Sequence, residues 1–270
     1  SSSHSTDIRQ FLQPAHLRDR ASTIGKIDRI LAMSKNQQEQ ISQVHGIATE
    51  KIDIVGGGYD TKRFTMGEKK SLPPVQFIYA GKLSSAKGVP YLLKAISTIQ
   101  GTGMHLHLVG SGSGPERDQC LHLAAQVTEK VTVHGAMEQN DLADLMRQSH
   151  VFVLPSFFEG LPLVLLEALS SGCRILCSDL PGCRELLGSA GKDMVQFIKL
   201  PSIQDVDKPD PDQLAPFITR IAEKLIRMRD IVTYNPPLLE EKIEALTKSY
   251  SWEYVFAKVE QAYIRAAAMK

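Results

Sequence analysis

The chain has 270 residues, of which 43% are hydrophobic and 23% charged, and its formal net charge is +1. That length allows one large domain or two modest ones, and the balance is that of a globular protein with a real core. The near-neutral charge gives no argument for nucleic acid or an acidic surface as partner, no stretch has the length of a membrane span, and "SSSHSTDIRQ" lacks the apolar segment of a signal peptide.

Taken in chain order, "DRILAMS" (28–34) predicts a strand ending at Ser34. Ser34 with Gln37 makes a capping-box pattern that opens a helix over "NQQEQISQVHG". "KIDIVGGGYD" (51–60) predicts a second strand running into a glycine-rich exit. This strand–helix–strand piece is too small to bury both faces of its own sheet. "GGGYDTKRFTMGEKKSLPP" then reads as a linker, opening on three consecutive glycines and continuing through a polar run to two prolines.

From residue 75 a short apolar run, a turn and a helical period repeat. Strands are expected at 75–81, 104–110, 131–135, 151–155 and 174–178, and helices at 89–99, through "ERDQCLHLAAQV", and at 140–149 with Asn140 as N-cap. A further helix after "VFVLPSFFEGLP" is expected to start near Leu161, with Pro162 at its first position. Strands alternating with helices argue an α/β fold: a Rossmann-like parallel sheet with helices on both faces. Residues 198–212, with three prolines and four aspartates, read as a surface loop. Helical patterns follow at 213–230 and 236–249, and a last helix starts after Ser251.

Four cysteines, Cys120, Cys173, Cys177 and Cys183, form no C-x2-C pair, so the sequence offers no structural zinc. They read as small buried hydrophobes in a reducing cytoplasm. His105 and His107, two apart on a strand, read as ordinary sheet residues.

The candidate chemistry lies at strand exits, where open parallel sheets bind ligands. Lys82 and Lys87 flank the small-residue loop "GKLSSAKG". Two ammonium groups at a sheet mouth suit a phosphate, and also suit plain solvated surface. "GSGSGPE", with Gly110, Gly112 and Gly114, resembles a phosphate-cradling loop without being the G-x-G-x-x-G fingerprint; a tight turn explains at least one of the glycines equally well. Glu159 precedes the expected helix start and Glu167 lies within it, which on one helix would be roughly 12 Å at 1.5 Å per residue. Carboxylates so placed could grip the hydroxyls at the two ends of a sugar–pyrophosphate–ribose, with the free amides of the helix start toward the phosphates. They could equally be exposed helix-end residues.

These segments together bear a family resemblance. "YAGKLSSAKG", "LHLVGSGSGPE", "VTVHGAM", "DLADLMRQSHVFVLPSFFEGLPLVLLEALSSG" and "ILCSDLPGCREL" occur in the order and approximate spacing of the retaining glycosyltransferases of family four, with their E-x7-E motif and two-domain GT-B fold. The likeness runs from about residue 27 to 190 and includes the final Trp-containing helix. It implies that Lys82 and Lys87 hold a donor diphosphate, the first standing where the family commonly has arginine. It implies that Glu159 contacts the transferred sugar and that Glu167 binds the ribose diol. Gly160, Leu161, Pro162, Leu163 and Val164 would form the turn facing the phosphates. Gly81, Gly110, Gly135 and Met137 would line the donor site, the last two beside the nucleobase. "HSTD" resembles an H-G-T-D-like turn of the acceptor domain, which makes His4 a candidate catalytic residue.

The resemblance further implies three parts: 1–72, a remnant of the acceptor-side domain with its linker; 73–249, the nucleotide-sugar-binding domain; and 250–270, a C-terminal helix packing back toward the first part. Most of the first domain is missing against the family, so the chain is expected to be a fragment or a truncated product. The implied reaction moves a sugar from a nucleoside diphosphate sugar of UDP, GDP or ADP type to an acceptor hydroxyl, with no metal and no further cofactor. The acceptor (glycan, lipid or small molecule) and the oligomeric state stay open. No nucleic acid partner and no evident membrane association are expected, and the location is cytoplasmic, at most peripheral at the inner membrane face. The alternative is a non-catalytic nucleotide-sugar-binding or assembly module of the same fold.

Overall fold

The structure, a computed structural model, describes residues 27–268 apart from 102 and 206. The described residues divide into two units: one takes residues 27–59, Glu159–Leu163 and 248–268; the other takes Asp60–Phe158 and Val164–Thr247. The division falls after Tyr59, so residues 60–72 group with the sheet and not with the chain before them.

The larger unit is built on β3 (Val75–Ala80), β4 (Met104–Val109), β5 (Val131–Gly135), β6 (Val151–Leu154), β7 (Arg174–Ser178) and β8 (Val195–Ile198). They form one parallel sheet in the order β5-β4-β3-β6-β7-β8. The expected α/β class is therefore what the chain adopts. Every residue of β3, β6 and β7 is buried, which explains why these strands read as unbroken apolar runs and not as alternating ones. The chain winds outward from β3 through α2 (Val89–Thr98) to β4 and through α3 (Gly114–Ala125) to β5. It then returns by α4 (Gln139–Gln148) to β6 and winds outward again through α5 (Val164–Ser170) and α6 (Pro181–Leu187). Right-handed crossovers in opposite directions put helices on both faces and leave a switch point between β3 and β6.

Helix α2 buries Val89, Leu92, Leu93 and Ile96, spaced three to four apart. It packs against α7 (Leu214–Tyr234), whose Phe217, Ile221, Leu225, Met228 and Val232 form the matching stripe. Each such aliphatic side chain contributes about 1.5–3 kcal/mol when buried. The Tyr91, Phe157 and Phe217 rings meet edge-on or tilted, with centroids 5.2–6.2 Å apart. Helix α8 (Glu240–Thr247) packs on α5.

Several elements differ from expectation. Helix α4 has Glu138 in the capping position without a side-chain cap bond, and Asn140 lies inside the helix. Helix α5 starts at Val164, not near Leu161, because the Leu163 amide donates to the Leu161 carbonyl at 2.9 Å. That two-residue turn is incompatible with helical phase. Glu159 is thus not on the helix of Glu167, and a helical rise does not measure their separation. Two elements were not foreseen, α6 and β8. The 198–212 stretch holds a short hairpin, β9 (Ile203–Asp205) against β10 (Lys208–Pro209). From Asp60 on, the stretch read as a linker belongs to the sheet unit, and its Phe64 is 2% exposed.

In the smaller unit β1 (Ile30–Ala32) and β2 (Ile52–Ile54) pair in parallel across α1 (Lys35–His45). Ser34 Oγ accepts from the Gln37 amide at 3.1 Å, while Gln37 Oε1 accepts from the Met33 amide at 2.6 Å, one residue outside the expected box. Helix α9 (Trp252–Ala267) is capped by Ser251, which accepts from the Tyr254 amide. Asp53 joins the parts of this unit: it pairs with Arg29 at 2.5 and 2.8 Å and with Arg265 of α9 at 2.7 Å. Among the described residues no helix is long and apolar enough to cross a membrane.

Candidate functional site

Because the six strands are parallel, their C-terminal ends share one edge of the sheet. Three exits are laced together there by backbone bonds. The Gly81 amide donates to the Val109 carbonyl at 3.0 Å, the Leu83 amide to the Ser111 carbonyl at 2.9 Å, and the Gly110 amide to the Gly135 carbonyl at 2.7 Å. Gly110 has φ 141°, and a Cβ on it would lie 1.7 Å from the Gly81 carbonyl oxygen. Glycine is therefore demanded by close approach, which decides the question the "GSGSG" spacing left open at this position.

The switch point is closed in the same way. Phe157 donates from its amide to the Ala86 carbonyl at 2.9 Å, tying the β6 exit to the β3 exit. Gly88 (φ 73°) passes so near Pro155 that a Cβ would lie 2.0 Å from its carbonyl oxygen. The 81–88 loop is further held by the Tyr79 hydroxyl, which donates to the Lys82 carbonyl at 2.8 Å, and by Glu116 on the first turn of α3, which accepts from the Ser85 amide at 3.4 Å. On this fixed loop Lys82 is exposed and Lys87 half-buried. Met137 follows Gly135 in the turn before α4 and is half-buried. The structure thus brings Gly81, Lys82, Lys87, Gly110, Gly135 and Met137 to one edge of one sheet.

Glu167 sits on α5, which leads from the β6 exit side into β7. Burial is the dominant influence on its carboxyl and pushes it up to about 7; the Arg63 charge pulls the other way and the Asp60 charge adds to the rise. Glu167 is half-buried, and a carboxyl raised by desolvation in this way is a candidate for a functional position. Val164 is the first residue of this helix. Glu159, Gly160, Leu161, Pro162 and Leu163 belong to the smaller unit, where Leu163 packs on Gly57. His4 lies outside the described residues.

Sequence reading missed Asp60 and Arg63, which it placed in a linker. The signal available was the D-x-x-R spacing at "DTKR". Asp60 Oδ1 accepts from the Lys62 and Arg63 amides, both at 3.1 Å, in a side-chain-closed turn. It also missed the histidine bonding. His107 Nε2 is 2.9 Å from Gln76 Oε1 and its Nδ1 is 3.0 Å from His134 Nε2, so His107 is a neutral donor and acceptor held in the sheet. Burial holds His107 down to about 3 and His150 down to about 4. All four cysteines are buried free thiols. Among the described residues no group of three or more His, Cys, Asp or Glu could hold a metal ion.

Comparison with known proteins matches these features. Residues 60–201, more than half of the chain, match the family model of glycosyl transferases group 1. The chain is 28% identical over 176 residues to the D-inositol 3-phosphate glycosyltransferase of Nocardia farcinica, covering 59% of this chain and 39% of that protein. It is 25% identical over 161 residues to the glycogen synthase of Mycobacterium tuberculosis, covering 58% of this chain and 39% of that one. The chain therefore spans less than half of the length of these curated relatives. Anabaena HepE, solved in complex with UDP and glucose, superposes with a TM-score of 0.64 at 16% identity over 96% of this chain and 69% of that one, a likeness of fold. With a family model matched across the doubly wound sheet and its laced strand exits, the chain belongs to the glycosyl transferases group 1 family.

Proposed function

We propose that the sheet unit binds the nucleoside diphosphate part of a sugar donor, and that the protein to which this chain belongs transfers the sugar to an acceptor hydroxyl with retention of configuration. The observation that carries the reading is Glu167: a half-buried carboxyl on the helix that follows the β6 exit, whose desolvation is costly unless hydroxyl donors complete it. A ribose diol supplies two such donors. Lys82 and Lys87 would hold the diphosphate as mobile point charges, and the Gly135–Met137 turn would take the base, of uracil, guanine or adenine type. The motif match gives Glu159 the sugar hydroxyls and the Gly160–Val164 turn the phosphates. His4 would approach the donor sugar from the acceptor side.

In this reading the departing diphosphate is stabilised by the lysines and oriented amides, with no metal and no further cofactor. The acceptor is a hydroxyl of a glycan, lipid or small molecule, and the reaction is placed in the cytoplasm.

Titration calorimetry of the folded chain with UDP, GDP and ADP tests the donor part. We expect one of them to bind more tightly than the matching nucleoside. No heat from any of the three at millimolar concentration would overturn the reading. Retention is tested in the protein as a whole by NMR of the first-formed glycoside; an inverted anomer would refute it.

A further inference from the structure

Edge strand β5 is joined to β4 by a row of side chains as well as by its backbone. His105 Nε2 lies 2.8 Å from the Thr132 hydroxyl, and the His107 ring stands between those of His105 and His134, with centroids 5.1 and 5.2 Å away. The directions of the inner bonds follow from Gln76 of β3. Its Nε2 donates to the Pro74 carbonyl at 3.1 Å, which leaves Oε1 as the acceptor 2.9 Å from His107 Nε2. His107 therefore carries its hydrogen on Nε2, and its Nδ1 accepts from His134 Nε2 at 3.0 Å. His107 and Gln76 are buried, and His105 and His134 half-buried.

The backbone ladder is interrupted at the same place. Leu108 pairs with Val133 and Val109 with Gly135, so His134 is an extra residue with no opposite number on β4. An extra residue at a sheet edge loosens the register, and here the imidazole bond stands where a rung is missing. Directly beyond it the Gly135 carbonyl accepts from the Gly110 amide at 2.7 Å, and the chain turns through Met137 into α4. We propose that His134 and His107 are positioning residues of the base-binding turn: their bond fixes the bulge from which Gly135–Met137 hangs, and acid releases it. This rests on the reading that the turn takes the nucleobase.

Each polar atom of the inner row has one role. A second proton on His107 would sit on Nδ1, facing the N–H of His134, and the bond would be lost. Burial holds all three rings below the ordinary imidazole range, and the Lys70 charge, ahead of β3, lowers each of them further. His105 and His134 do the same to His107. The other titratable groups on neighbouring elements are committed or exposed. His150 of β6 accepts at Nδ1 from the Gln76 amide at 3.0 Å, Lys130 before β5 donates to the Ile99 carbonyl, and Lys69 donates to the Met146 and Ser171 carbonyls. Asp144 and Arg147 of α4 pair with each other. On α3, which packs on β5, Arg117 pairs with Asp118, Glu116 accepts from the Ser85 amide and His122 bonds Gln126. Glu68 and Glu129 are exposed. The three rings are thus neutral at pH 7, and the hold they give β5 is present above about pH 6.5 and lost as pH falls below it.

The test uses the full chain with His134→Phe and His134→Gln. Three readings are taken between about pH 7.5 and pH 5: affinity for uridine, guanosine and adenosine, affinity for pyrophosphate, and amide exchange of residues 133–137 by NMR. Phenylalanine keeps a ring and loses the donor. Glutamine keeps a donor and, by turning its amide, accepts from a protonated His107, so its bond survives acid. We expect His134→Phe to weaken nucleoside binding by up to about tenfold at neutral pH, the worth of one hydrogen bond, and to leave pyrophosphate binding unchanged. In the wild type, acid should weaken nucleoside binding and speed exchange at 133–137 before it does so in β3 and β6. His134→Gln should match the wild type at neutral pH and keep its affinity in acid. A folded His134→Phe with unchanged nucleoside affinity and exchange, an equal loss for pyrophosphate, or an acid profile that His134→Gln leaves as it was, would overturn the proposal. Acid-released exchange at 133–137 in a chain that binds no nucleoside would overturn the base reading and leave the hold of the imidazoles on the turn supported.

Discussion

Gly110 and Gly81 meet backbone to backbone: a Cβ on Gly110 would stand 1.7 Å from the Gly81 carbonyl oxygen. The contact joins the exits of β4 and β3, the edge on which the proposed donor site is built. Gly110→Ala should therefore cost about 3 kcal/mol or more, from the clash and from φ 141° together. Gly46 also has positive φ, but nothing lies within 4 Å of its Cβ position, so Gly46→Ala should cost only about 1–2 kcal/mol. Urea unfolding of the two variants checks the contrast.

Lys69→Met would leave the Ser171 and Met146 carbonyls without their shared donor. An apolar chain of similar length fills the space, and the Met146 carbonyl keeps the Ser149 amide at 3.1 Å and the Cys173 thiol at 3.2 Å, so the loss falls on the Ser171 carbonyl and should be about 1–3 kcal/mol. Equilibrium unfolding gives the magnitude. Hydrogen exchange should place the loosening in α4 and α5, and equal protection of these helices in both proteins would refute the role.

Glu167 predicts a pH dependence with a definite sign. Its carboxyl titrates at about 7 when folded, against an ordinary value near 4.5. Between these values the folded chain holds a proton that the unfolded chain has lost, so stability falls as pH rises through this window. Glu167→Gln should match the wild type at pH 4.5 and exceed it at pH 8 by on the order of 3 kcal/mol. His107 and His150 act oppositely: held down to about 3 and 4, they contribute stability present above pH 6.5 and lost as pH falls toward those values. Chemical denaturation across pH 4 to 8.5, compared between wild type and variant, separates the two trends. A constant difference would contradict the assignment.

The two loop lysines should discriminate the phosphates from the nucleoside. Lys82→Ala and Lys87→Ala should each weaken nucleoside diphosphate binding by about tenfold while leaving nucleoside binding unchanged. The loss should shrink at high salt for the exposed Lys82. Calorimetry with a diphosphate and its nucleoside decides it; equal losses for both ligands would remove the lysines from the phosphate end.

The sequence by itself determined the kinds of element and their order. "VQFIYA", "VFVL" and "RILCS" are apolar throughout because both faces of a central parallel strand are covered, and that burial is written residue by residue. Ser34 and Ser251 announce α1 and α9 because a cap is a bond between residues three apart. The motif residues at the strand exits were legible for the same reason: they lie where one local pattern ends and another begins. Tertiary structure alone decided the rest. Periodicity records that a face is buried, not against what, so it could not fix the β5-β4-β3-β6-β7-β8 order. The start of α5 turned on the Leu163–Leu161 bond, which no propensity reports. The polar "DTKRFTMGEKK" stretch reads as a linker, because its partners Gln139, Met146, Arg147 and Ser171 are more than seventy positions away. The desolvation that raises the Glu167 carboxyl belongs to the folded space around it, since desolvation has no local signature in a chain.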